Sequence, residues 1–153
     1  MHTGDSMPPA DSVPTADSMS TANTLIVTRS AFGVGETLDR LASAVAAAGN
    51  TVFARFDHSA NARDVGLSMR PTQVLVFGNA KGGTPLMERA PALALDLPLR
   101  FLAWEDDAGA THLAYAPVAE LARRYDLRGM DEQVAALDAR LAALARLVAP
   151  VDT

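Results

Sequence analysis

At 153 residues and 49% hydrophobic content, the chain has the length of one domain and enough apolar mass for a real core. Its net charge is −5, with three Asp and no Lys or Arg in the first 22 residues, and aromatics make up 5%. With no basic excess and little stacking surface, nucleic acid is not expected as a partner. Zero Cys removes disulfides, thiolate catalysis and Cys-based zinc sites from consideration.

The chain starts without the basic and apolar regions of a secretory signal, and no later run approaches membrane-spanning length, so a cytoplasmic protein with no membrane partner is expected. Residues 1–22 repeat a hexapeptide, with Asp5, Asp11 and Asp17 at equivalent positions. One weak apolar residue per repeat cannot bury a core, so the segment reads as a disordered low-complexity tail ahead of a single domain at 23–150. Thr24 to Ser30 is β-branched and reads as a first strand. Val34, Leu38, Leu41, Val45 and Ala48 then share one face of a helix that Gly49 and Asn50 stop. Thr51 to Asp57 is a second strand, His58 to Val65 a short helical turn, and Gln73 to Phe77 a third strand.

Gly78 to Thr84 is read as a glycine-rich loop, with Thr84 and Pro85 opening the next helix. Leu99 to Glu105 and Thr111 to Ala116 form a hairpin in which Gly109 takes the left-handed position of a type I turn with a bulge. Pro117 starts a helix that ends at Arg124. The last helix, Asp131 to Ala149, carries a narrow seam of Val134, Leu137, Leu141, Leu144 and Val148 that packs in the core or on a partner. Alternation in the third and fourth strands makes both sheet faces apolar, and the second one is expected to be covered either by a homodimer, the preferred reading, or by the chain's own last helices.

Several of these segments resemble a known family. Phe77-Gly78-Asn79, Lys81 to Met87, Asp96 to Leu99, Trp104-Glu105-Asp106, Gly109 and Tyr115 are similar to the signature of the Domain of Unknown Function 302 family. Thr37 to Leu41, Asp57-His58 and Leu67 to Pro71 support the match upstream. The resemblance implies an α+β, two-layer sandwich like the TATA-binding protein, with helices on one face of a curved, mainly antiparallel sheet of about five strands, and it suggests dimers. The chain departs from the family pattern at Ala80, at Ala116-Pro117 and at Tyr125, where relatives carry Pro, an Asn-Asp-Pro run and His.

Two sites are candidates. The glycine segment, with Asn79, Lys81, Gly82, Gly83 and Thr84, offers backbone N–H groups and a helix N-terminus to a small anionic ligand, with His58 as a further contact. It is not a nucleotide loop, because G-x-x-x-x-G-K-S/T requires a lysine after the last glycine and Thr84 stands there. His58 beside Asp57 is the candidate general base of a hydrolase or lyase in which the loop N–H groups would steady a developing anion. No nucleophile is placed near the pair by local spacing. Protein interaction through the last helix is the third reading. His2, His58 and His112 lack metal-ligand spacing, so no metal is expected, and no cofactor is named by any motif. Glu105, Asp106 and Asp107 read as solvated turn formers, Arg123 and Arg124 as partners of a helix dipole, and Trp104 and Tyr115 as core or interface aromatics.

Overall fold

The β-branched and alternating segments all become strands, and they join one sheet. The computed structural model describes residues 24–151, and the repeat tail expected at 1–22 lies outside them. In chain order the elements are β1 (Ile26–Ser30), α1 (Val34–Ala47), β2 (Thr51–Asp57), α2 (His58–Asp64), β3 (Thr72–Gly78) and α3 (Ala80–Arg89). A 3-10 turn (Pro91–Asp96), β4 (Leu99–Glu105), β5 (Thr111–Tyr115), α4 (Val118–Arg124) and α5 (Asp131–Arg146) complete them. The sheet order is β1-β5-β4-β3-β2, with every neighbouring pair antiparallel, so the domain is the expected α+β sheet with helices.

Register decides what each face carries, because residues paired across an antiparallel ladder point to the same side. Leu75 pairs with Phe101, Ala103 with Leu113, and Ile26 with Tyr115. These belong to the inner face, onto which α1 lays Leu38, Leu41 and Val45, all fully buried. Phe101 stacks on Phe77 at 4.9 Å between ring centroids and meets Tyr115 edge-on at 5.4 Å. Each such buried side chain stabilises the fold by about 1.5–3 kcal/mol relative to exposure. A buried hydrogen bond of 2.6 Å between the Ser30 and Thr37 hydroxyls ties β1 to the first turns of α1.

The seam of α5 belongs to this same core. Val134 and Leu141 of α5 are buried, as is Val148 just beyond its end, and Leu137 and Leu144 pack against them, with α5 lying on α4 and α1. The seam is therefore satisfied within the chain and is not a free docking stripe.

The largest boundary difference from the sequence expectation is at α3, while the first strand starts two residues later than expected and the last helix ends three residues earlier. Helix α3 begins at Ala80, ahead of Thr84 and Pro85, so the glycine pair sits inside the helix and Pro85 lies in its body. The reason is Asn79, whose Oδ1 accepts the Lys81 N–H at 2.9 Å while its carbonyl accepts the Gly82 and Gly83 N–H groups at 3.1 and 2.9 Å. Asn is among the strongest N-caps, and a cap plus tertiary packing outweighs a glycine penalty of about 1 kcal/mol per residue.

Candidate functional site

Position along the β2–β3 hairpin separates the residues that the sequence grouped. Thr51 pairs with Gly78 and Asp57 with Gln73, so Asn79 emerges at one end of β2 and His58 at the other. Seven extended residues span about 20 Å. The structure therefore does not bring His58 together with the glycine segment, as the general-base reading requires and as the anion-binding reading allows for a further contact.

The glycine segment also has its donors in use. The N–H groups of Lys81, Gly82 and Gly83 all point at Asn79, and the Asn79 amide donates to Asn50 Oδ1 at 3.2 Å. Lys81 and Thr84 are exposed. A Cβ added at Gly82 would lie 3.5 Å from Leu137 Cδ2, and one at Gly83 would lie 3.6 Å from Leu97 Cδ1, so the pair faces the chain's own side chains.

Asp57 does not orient His58. It is the N-cap of α2, accepting the Ser59 hydroxyl at 2.6 Å and the Ala60 N–H at 2.9 Å on Oδ1 and the Gln73 amide at 3.3 Å on Oδ2. The Ser59 hydroxyl, then the Ala60 N–H, hold its carboxyl below the ordinary carboxylate value. Hydrogen bonds to the charged form do this directly. The role is that of a helix cap, and His58 stands exposed beside it.

At the β4–β5 tip the acids behave as turn formers. Gly109 has φ 83°, and Asp106 Oδ1 accepts the N–H groups of Ala108 and Ala110 at 2.9 and 3.0 Å. Asp106 Oδ2 meets His112 Nε2 at 2.6 Å. That contact first, and the Ala110 N–H second, lower the Asp106 pKa to about 2. Trp104 stacks on the His112 ring at 5.2 Å, whereas Tyr115 faces the core, so the two aromatics lie on opposite sides of the sheet.

The second sheet face is apolar, as the strand alternation predicts, and it carries a concavity and a polar corner that the alternation does not predict. Val74 pairs with Leu102 and Leu102 with Ala114, forming an apolar floor with Val76 and Phe56. Phe56 is 49% exposed, and Val74, Val76 and Leu102 are half-buried. Over this floor lies a concavity of ≈ 410 Å³, bordered by His58, Asp96, Arg100, Leu121 and Leu25. That is within the size range of small-molecule pockets. His58 is the one sequence-predicted site residue that reaches it.

Its polar end is built from residues distant in sequence. Asp96 Oδ2 accepts the Tyr125 hydroxyl at 2.5 Å and Arg124 Nη1 at 2.9 Å, and Arg100 Nη2 stands 3.6 Å from Asp96 Oδ1. The Tyr125 hydrogen bond, ahead of Arg124, keeps the Asp96 carboxyl below its ordinary value, and the same bond pushes the Tyr125 hydroxyl up. Arg124 thus serves Asp96 rather than only a helix dipole, while Arg123 pairs with Glu120. One sequence signal pointed here: Arg100 interrupts a strand face otherwise carrying Leu102 and Trp104. Among the described residues no Ser, Thr or Cys lines the concavity, and no group of three His, Cys, Asp or Glu could hold a metal ion. The titratable side chains that border it are those of His58, Asp96, Arg100 and Tyr115.

Comparison with known proteins gives a family and a fold. The model of the family described as "Domain of unknown function DUF302" matches residues 26–144. A solved structure, that of an uncharacterized conserved DUF302 protein from Bacillus stearothermophilus, superposes with a TM-score of 0.73 at 19% identity. The match covers 81% of this chain and 97% of that one. Two curated relatives, each named "Fluoride-specific ion channel FluC 1" and coming from Brucella suis and Brucella abortus, are 41% identical over 111 residues, 72% of this chain. Those residues make up 43% and 41% of the two relatives, so the chain spans less than half of their length. No helix among the described residues is long and apolar enough to cross a membrane.

Proposed function

The chain belongs to the DUF302 family of domains of unknown function, and from that premise we propose that it is a binding domain whose open sheet face holds a small, largely apolar molecule. The observation that carries this reading is the floor of Phe56, Val74, Val76, Leu102 and Ala114 under a concavity closed at one end by a polar cluster. Moving apolar ligand surface from water onto such a floor is favourable by about 25 cal/mol per Å². The small ligand expected from the sequence keeps its place in the account, but its site moves from the glycine segment, whose N–H groups are taken, to the sheet face. An enzymatic reading has less support, because His58 lacks both an orienting carboxylate and a nucleophile.

Octanol is a suitable neutral probe. It should raise the melting temperature of the full chain, since a ligand that binds only the folded state stabilises it. Leu102→Gln should remove that stabilisation while leaving the fold intact. Self-association, the occupant expected from two apolar faces, is read in the same samples by size-exclusion chromatography. A dimer that ignores octanol and dissociates on Leu102→Gln would replace the ligand reading with a homodimer across this face.

A second reading comes from the relatives named as fluoride-specific ion channels. We infer from that likeness a role for this chain as an accessory to an anion-conducting membrane protein. Deleting the chain should then lower the fluoride tolerance of a host that carries such a channel. Unchanged tolerance would remove this reading.

A further inference from the structure

We propose that the molecule held on the open face is an amphiphilic oxyanion, its apolar tail lying on the sheet and its carboxylate or phosphate end held by Arg100. This rests on the binding reading above and adds the class of ligand to it. Among the described residues, Arg100 is the only Lys or Arg lining the concavity, and Asp96 is the only acid. The two do not satisfy each other. At 3.6 Å the Arg100 guanidinium is beyond hydrogen-bonding distance of Asp96 Oδ1. Asp96 instead gives its other oxygen to Tyr125 and Arg124.

Two guanidinium groups therefore face one carboxylate, and the surplus positive charge belongs to the arginine that borders the cavity. Among the described residues the Arg100 guanidinium makes no hydrogen bond, so its planar fork of N–H donors is open to a ligand. Such a fork matches the paired oxygens of a carboxylate or phosphate. Arg100 pairs across the ladder with Val76 and lies on the same strand face as Leu102. The charged end of a ligand bound there would meet the guanidinium while its chain ran over Leu102, Val74 and Phe56. Asp96 and Arg124 act as positioning residues, since they hold the corner from which Arg100 projects without needing to touch the ligand.

Four eight-carbon probes on the full chain separate this inference from the reading beneath it: octanoate, octyl phosphate, octanol and octylamine. The readout is the fluorescence of Trp104, the only tryptophan, which lies on the same face of β4 as Leu102. A charge-assisted hydrogen-bond pair should make octanoate or octyl phosphate bind about tenfold or more tighter than octanol. The better of the two identifies the head group as carboxylate or phosphate. Arg100→Gln should erase that preference and leave octanol affinity unchanged, and Arg100→Lys, which keeps the charge without the fork, should restore part of it. Equal affinity for octanol and the anions, a preference for octylamine, or an Arg100→Gln variant that still prefers the anions would overturn the oxyanion assignment while the binding reading stood. A chain that binds none of the four would overturn both.

Discussion

Single carboxylates set the acid behaviour of this domain. Asp106 and Glu120 both have pKa values lowered to about 2, from ordinary values of 3.8 and 4.5, Asp106 chiefly through His112 and Glu120 chiefly through Arg123. A carboxyl whose folded pKa is depressed contributes stability that is fully present above the unfolded value and is lost as pH falls through the folded one. The expected loss therefore develops as pH falls through 4.5 and 3.8 and continues down through about 2, measured as the urea midpoint across that range. Asp106→Asn should lower the midpoint at neutral pH and make its acid dependence shallower. An unaltered acid limb in that variant would show that the β4–β5 turn does not depend on the ionised side chain. The Asp106 turn was legible beforehand, since Asp and Gly at that spacing announce it. Its bond to His112 was not, because only the hairpin register brings the two together.

Among the elements, α3 is where local signals and tertiary structure disagree. Two consecutive glycines followed by Thr and Pro read as a loop with a helix start behind it, yet Asn79 caps a helix that runs through all four. The signal for the earlier start was Asn79 itself, directly after a strand, but glycine propensity masked it. Neither glycine has a positive φ, and the space beside each accepts a methyl group at ordinary contact distance from Leu137 or Leu97. Gly82→Ala and Gly83→Ala should each stabilise the protein by about 0.5–1 kcal/mol, read from denaturation midpoints. Both should leave octanol binding unchanged. Loss of ligand binding in either variant would return the site to the glycine segment. The strands and α1, by contrast, followed from alternation and from the spacing of Leu38, Leu41 and Val45, because burial on one face leaves its period in the sequence.

At the scale of the whole molecule, a five-stranded sheet has its helices on one side and an apolar opposite face carrying a polar corner. That both faces would be apolar was visible in Val74, Val76, Leu102 and Trp104. That α5 would turn its seam inward was open, because an apolar stripe looks the same whether its partner is in the chain or outside it. The Asp96–Arg124–Tyr125 corner could not be read at all: its members lie 28 and 29 residues apart and meet only through the packing of the 3-10 turn against α4. The central claim concerns where a ligand sits, and amide chemical-shift mapping of the isotopically labelled full chain with octanoate tests it most directly. The account predicts perturbations concentrated at Phe56, Val74, Val76, Arg100, Leu102 and Ala114, with Asn79 to Thr84 unmoved. Perturbations confined to Asn79 to Thr84, or none anywhere, would contradict it.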